Sequence, residues 1–222
     1  MFKSWIRPIV YTQYEHGRLA GTVARAWGND SFDRPALDFH AFAAGVMLHD
    51  WGYGVVDNLP IGEAPEYEWL DIIRNGVENR FEHPTTDIVV KLHLRRLLSM
   101  HSSPERETLI AQIDARIDGR LDESGALLET FQRADKITQL CDMISFSYCF
   151  ESPVELTYPV ISRSDGAETT SITFELQPGG EVTVDPWPFS IPFISGIMYA
   201  FDRQDYPEKL NPLVVPFKIQ RR

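Results

Sequence analysis

Hydrophobic positions recur at helical spacing up to about residue 150 and at alternating spacing beyond it. Residues 14–27 place His16, Ala20, Val23 and Trp27 at i, i+4, i+7 and i+11, one stripe of a helix that stops at Gly28. A short strand, Ile9–Thr12, precedes it. Residues 36–49 predict a small apolar helix that runs into His49-Asp50. Residues 51–68 are broken by Gly and Pro and predict a long loop, of a length that usually serves function. Further helices are predicted at 68–80, 86–101, 104–117 and 124–150, the last capped near Asp122–Ser124. That last helix carries Leu128, Phe131, Asp135, Thr138, Asp142, Ser145 and Cys149 on one face.

After Ser152 the period becomes two. Residues 154–163, 169–177 and 181–185 alternate, separated by the turn formers Ser164-Asp165-Gly166 and Pro178-Gly179-Gly180. The expected fold class is therefore mainly α. Residues 1–152 form a helical core, and residues 153–222 form a C-terminal antiparallel β extension packed on it. This extension would cover a cleft, complete the fold or mediate a homodimer.

Composition narrows the partners. Acidic residues outnumber basic ones 32 to 21, a net charge of −11, so a polyanion such as nucleic acid is not an expected partner. Cys141 and Cys149, eight apart on one helix, cannot meet in a disulfide, which suits a reducing compartment. Arg7 and Pro8 interrupt any leader-type apolar run near the start, and no stretch has the length of a membrane span. A cytoplasmic protein acting on a small molecule, with no membrane partner, is the expectation.

The informative residues are polar groups on apolar stripes. His16 leads one stripe, and His101 continues Val90, Leu94 and Leu97 on another. Asp135 and Asp142 share the face of the long helix, and His49-Asp50 ends an apolar one. A histidine in such a position is commonly a satisfied core residue, and either aspartate would serve as an ion-pair partner of basic residues such as Arg133. A bare buried carboxylate is costly, however, and imidazoles and carboxylates converging from several helices are stabilised most simply by a metal ion. Spacing leaves Asp135 and Asp142 equivalent.

The order His16, His49-Asp50, Asp142 resembles the metal-binding signature of the HD superfamily. More closely, the chain resembles a family designated domain of unknown function 3891. The resemblance rests on Gln13-Tyr14-Glu15-His16 with Leu19-Ala20-Gly21, Ala24 and Trp27-Gly28, and on His49-Asp50-Trp51-Gly52-Tyr53. It extends through Asp57 with Pro60, Arg74 with Gly76, Ser99 with His101, Gln139-x-x-Asp142-x-x-Ser145 with Cys149, and Val182–Phe189. It selects Asp142 over Asp135. One departure is that Trp51 stands where the family pattern has a second aspartate, and Tyr53 where it has tryptophan.

The resemblance implies an HD-like helical core. It also implies one or two divalent transition metal ions (Mn, Fe, Co, Ni or Zn) held by His16, His49, Asp50 and Asp142. His101 would stand near an open position and, with Asp50, act in catalysis. A second ion bridged by Asp50 would draw on His101 and His93. Such an ion polarises a phosphoryl oxygen and lowers the pKa of its water towards about 7. The implied activity is hydrolysis of a small phosphorylated molecule or nucleotide. A di-iron oxygenase, or a non-catalytic metal- or ligand-binding domain, is the alternative. Arg18, Arg95 and Arg96 are candidates for phosphate contact or for an ordinary solvated face. Loop 51–68, with its aromatic residues, is a candidate cover.

Overall fold

The computed structural model describes residues 1–163 and 168–222. Two strands come first, β1 (Phe2–Lys3) and β2 (Ile9–Tyr11), followed by helices α1 (Gln13–Arg25) and α2 (Phe39–Met47). A 3-10 turn at Tyr53–Val56 leads to α3 (Glu66–Glu78), α4 (Pro84–Leu98), α5 (Pro104–Ser124) and α6 (Leu128–Phe150). The chain closes with β3 (Leu156–Ile161), β4 (Thr169–Leu176), β5 (Glu181–Asp185), β6 (Phe193–Asp202) and β7 (Leu213–Arg221). The turn expected at Ser164-Asp165-Gly166 lies outside the described residues. The one at Pro178-Gly179-Gly180 is present, with both glycines at positive φ.

Local chemistry sets the helix ends. Thr12 and Asp38 accept hydrogen bonds from Glu15 N and Ala41 N and so cap α1 and α2. Ser103 caps α5, Pro104 occupies its first position, and Gly125 ends it at φ 67°. The Asp122–Ser124 segment is thus the end of α5, and α6 begins at Leu128.

The mainly α expectation does not hold: the fold is α/β. Among the described residues, six helices accompany a seven-stranded mixed sheet curved into a half-barrel, in the order β1-β2-β6-β7-β5-β4-β3. Two features of the sequence hid this. β1 and β2 join the sheet at its far end, where Tyr11 pairs with Ala200 across an antiparallel ladder. The long strands β6 and β7 follow a Pro-rich segment and alternate weakly, because residues such as Ile197, Tyr199 and Val214 put apolar side chains on the outer face. The inner face, with Phe174, Val184, Met198 and Ile219, belongs to the same core as the helices. Among the described residues no helix is long and apolar enough to cross a membrane.

Two contacts position α1. Glu15, buried beside His16, accepts the Tyr199 N–H of β6 at 2.7 Å and a two-pronged bond from Arg18. On the opposite side, Gly17 and Gly21 lie against Met47 at the end of α2. A Cβ on Gly17 would stand 2.4 Å from the Met47 carbonyl oxygen, and one on Gly21 2.5 Å from Met47 Cβ. The two helices therefore meet backbone to backbone just where each carries a histidine. Gly17→Ala is expected to destabilise the fold by about 1–3 kcal/mol and to separate His16 from His49. Thermal unfolding with and without Mn would show it as a lower midpoint and a smaller metal-induced shift; a full metal-induced shift would refute it.

Candidate metal centre

Four helices contribute to one buried cluster. α1 supplies His16, the turn after α2 supplies His49 and Asp50, α4 supplies His93 and Arg96, and α6 supplies Asp135 and Asp142. The three histidines are at most 1 % exposed, while the side chains of Asp50 and Asp142 keep 15 % and 13 % of their surface. The cluster is thus enclosed on the imidazole side and open on the carboxylate side.

The central contact joins His16 Nε2 and His49 Nε2 at 3.0 Å. Asp142 Oδ1 lies 3.3 and 3.4 Å from these two nitrogens, and Asp50 Oδ2 lies 3.5 and 3.6 Å from them. Ligand atoms bound at about 2.1 Å to one ion stand about 3.0 Å apart at right angles and about 3.4 Å apart at tetrahedral angles. Asp142 Oδ1 has that spacing to both nitrogens and forms a three-ligand group with them, while Asp50 Oδ2 stands slightly farther out and groups with His49 and His93. His49 Nδ1 donates to the Val46 carbonyl at 2.7 Å, which leaves Nε2 as the nitrogen facing the cluster. His16 Nδ1 is buried without a partner, a cost of about 1–3 kcal/mol that a bond at its other nitrogen would offset. Two imidazoles and two carboxylates suit a divalent transition metal, and its charge balances both carboxylates. On this test the residues fit the ion that the sequence pattern implies.

A second set of contacts holds these ligands. Arg96 ion-pairs with Asp135, and its Nη2 donates to His93 Nδ1 at 2.9 Å. His93 then carries its proton on Nε2 and donates it to Asp50 Oδ1 at 3.0 Å. Burial, the charge of His49 and Arg96 hold His93 below its ordinary pKa against the opposing pull of Asp50, so it stays neutral. Asp135, Arg96, His93 and Asp50 form a chain in which each group orients the next. Asp135, which spacing leaves equivalent to Asp142, lies two turns away and anchors Arg96.

His16, His49, Asp50 and Asp142 come together as expected, and His93 joins them. His101 does not. Helix α4 ends at Leu98, so the stripe that seemed to reach His101 stops short, and that residue is exposed at the rim of a neighbouring cavity. Trp51 turns away from the cluster, half exposed against Phe81. The residue type at 51 thus takes no group out of the cluster. Arg18, Arg95 and Arg96 are paired with Glu15, Asp114 and Asp135. Spacing could not disclose that Arg96 orients His93, since a basic residue on α4 looks like surface.

A sequence model of DUF3891, a family of proteins of unknown function, matches residues 6–198, a span holding every member of the cluster. The chain belongs to the DUF3891 family. No curated protein and no solved structure matches it. Within this DUF3891 chain, the charges of the cluster interlock. Burial alone would lower the His49 pKa, but Asp50 and Asp142 outweigh it and lift the value to about 9. Burial would raise Asp50, but His49, His93 and His16 bring it down to about 2, and Asp142 is held low the same way. The metal-free site thus holds a proton at His49 where an ion would sit.

The pH dependence follows from these directions. In the metal-free protein the raised His49 value stabilises the fold fully below about 6.5, and that contribution fades as pH rises through about 9. The depressed Asp50 value stabilises above about 4 and fades as pH falls towards 2. An ion must displace the His49 proton, so Mn affinity should rise about tenfold per pH unit between 6 and 8. Calorimetry in buffers of different ionisation enthalpy should detect about one proton released per ion; a pH-independent affinity would contradict the assignment. Arg96→Met should free the His93 tautomer and weaken metal binding about 10- to 100-fold. Nitrogen-15 NMR of His93 reports the tautomer directly, and an unchanged tautomer would remove Arg96 from this role.

Proposed function

We propose that this protein is a metal-dependent phosphohydrolase of the HD type, acting on a small phosphorylated molecule. The observation that supports it is the approach of two imidazole nitrogens to 3.0 Å with two carboxylate oxygens at 3.3–3.6 Å from them, from α1, the turn after α2 and α6 in the order His, His-Asp, Asp. His16, His49, Asp50 and Asp142 would hold the ion. When bound, the ion supplies Lewis-acid polarisation of a phosphoryl oxygen and a water of lowered pKa.

The reaction forms one P–O bond from water and breaks the P–O bond to the leaving group, whose oxygen takes up the water proton. Asp50 Oδ1 is occupied by His93 Nε2–H, so its Oδ2 is the oxygen turned to the site to hold the ion. His93 keeps Asp50 in this orientation, and Arg96 keeps His93 in the required tautomer. The burial of His16, His49 and His93 excludes water from the imidazole side, so substrate approaches past the carboxylates. The net charge of −11 favours a substrate small enough to be held by the ion rather than by a basic surface. His101 is assigned no part in holding the ion.

Protein purified with Mn, Co or Ni and assayed against a panel of phosphomonoesters should hydrolyse at least one class. Asp50→Ala should lower the rate by more than about a hundredfold, beyond the usual effect of outer-shell partners, and His49→Ala should lose the metal. Two irons per chain with dioxygen consumption would favour an oxygenase instead. Absence of any metal, with His49→Ala as stable as the parent, would leave a non-catalytic domain.

A further inference from the structure

A cavity of about 450 Å³ adjoins the cluster and plays no part in holding the ion. Three elements carry both a cluster residue and a wall of the cavity. Gln13 precedes His16 by three residues on α1, and Leu97 follows His93 by four on α4, each about one 5.4 Å helical turn away. Tyr53 follows Asp50 by three residues, and its N–H donates to the Asp50 carbonyl. The cavity therefore continues the site away from the metal ligands, at a distance a single small molecule spans.

Its lining is mostly apolar, with Ile61, Trp69, Leu97 and Met100 prominent. The charged side chains Arg106 and Glu66 are paired at 2.7 Å, and the Arg106 guanidinium lies over the Trp69 ring. Neither is free to clamp a phosphate. Beside the exposed His101 at the rim, two polar side chains stand deeper in the wall. The Tyr53 hydroxyl accepts from Trp69 Nε1, which leaves its own proton to donate. Gln13 is 95 % buried, and its Oε1 has no hydrogen-bond partner. Gln13 forms part of the cavity wall, and a turn of its amide towards the cavity would let a ligand satisfy that oxygen.

We infer that this cavity seats the organic part of the substrate: an uncharged, predominantly apolar aryl or alkyl body carrying one hydrogen-bonding group that meets the Gln13 amide. This rests on the phosphohydrolase reading, with the phosphoryl group at the cluster. A polyhydroxylated sugar phosphate would leave its hydroxyls unpaired against Ile61, Leu97 and Met100, and inorganic pyrophosphate would leave the cavity unfilled.

The test uses the full Mn-loaded chain with three probes: 4-acetamidophenyl phosphate, phenyl phosphate and glycerol 3-phosphate. The parent should prefer the aryl esters in kcat/KM. Leu97→Trp, and independently Met100→Trp at the more exposed rim, should lower the ratio of phenyl to glycerol ester by at least about tenfold. Gln13→Met should bring the ratio of acetamidophenyl to phenyl ester towards one. Ratios unchanged in all three variants would overturn the inference. Calorimetric binding of 4-acetamidophenyl phosphate separates the two claims. Binding weakened by the variants, with no probe hydrolysed, would sink the hydrolase reading and keep the cavity assignment. Hydrolysis with unaltered ratios and binding would do the reverse.

Discussion

The structure depends on bringing two imidazoles and two carboxylates into one largely buried cluster. Two unprotonated ring nitrogens at 3.0 Å repel, and so do neighbouring carboxylates with no cation between them. In the folded chain the pull of Asp50 and Asp142 favours a proton at His49, the place that the proposed ion would take. The surrounding fold makes this possible through backbone contact at Gly17 and Gly21, without which α1 and the end of α2 would stand a side chain apart.

Around that centre, the polar groups are arranged by direction as much as by charge. Arg96 bridges Asp135 and His93, and His93 passes the orientation on to Asp50, so protonation and orientation are settled together. The same economy explains why the neighbouring arginines are poor phosphate clamps: Arg18, Arg95 and Arg96 each already serve a carboxylate of this chain. On the proposed function, the acidic net charge and the engaged arginines would both leave recognition of a phosphoryl group to the cluster itself.

Much of this was legible in the residue pattern, and the failures have physical causes. Histidine and aspartate on apolar stripes stand out because burial makes them expensive, which is why His16, His49, Asp50 and Asp142 could be named. His101 was misleading because periodicity carries no information on where a helix stops; Ser99, Ser102, Ser103 and Pro104 are the residues that end α4 and begin α5. Arg96 was legible only as a candidate phosphate contact and Gln13 only as part of a motif, since the roles they take depend on surroundings from other elements. The sheet was underestimated for a related reason. β6 and β7 expose apolar residues on their outer face, which blurs alternation, and the pairing of β2 with β6 joins residues nearly two hundred positions apart.

The bond from Tyr199 to Glu15 has a consequence for how such a protein can change over evolutionary time. Because Glu15 immediately precedes His16, strand β6 acts as a gauge for the axial position of α1. A chimera that exchanged the last seventy residues with those of a distant relative would inherit a different gauge and would displace His16, although no residue of the cluster had been exchanged. The early helix and the late strand are thus expected to drift as a matched pair. The C-terminal sheet is in this sense a part of the cluster's geometry that never touches the cluster.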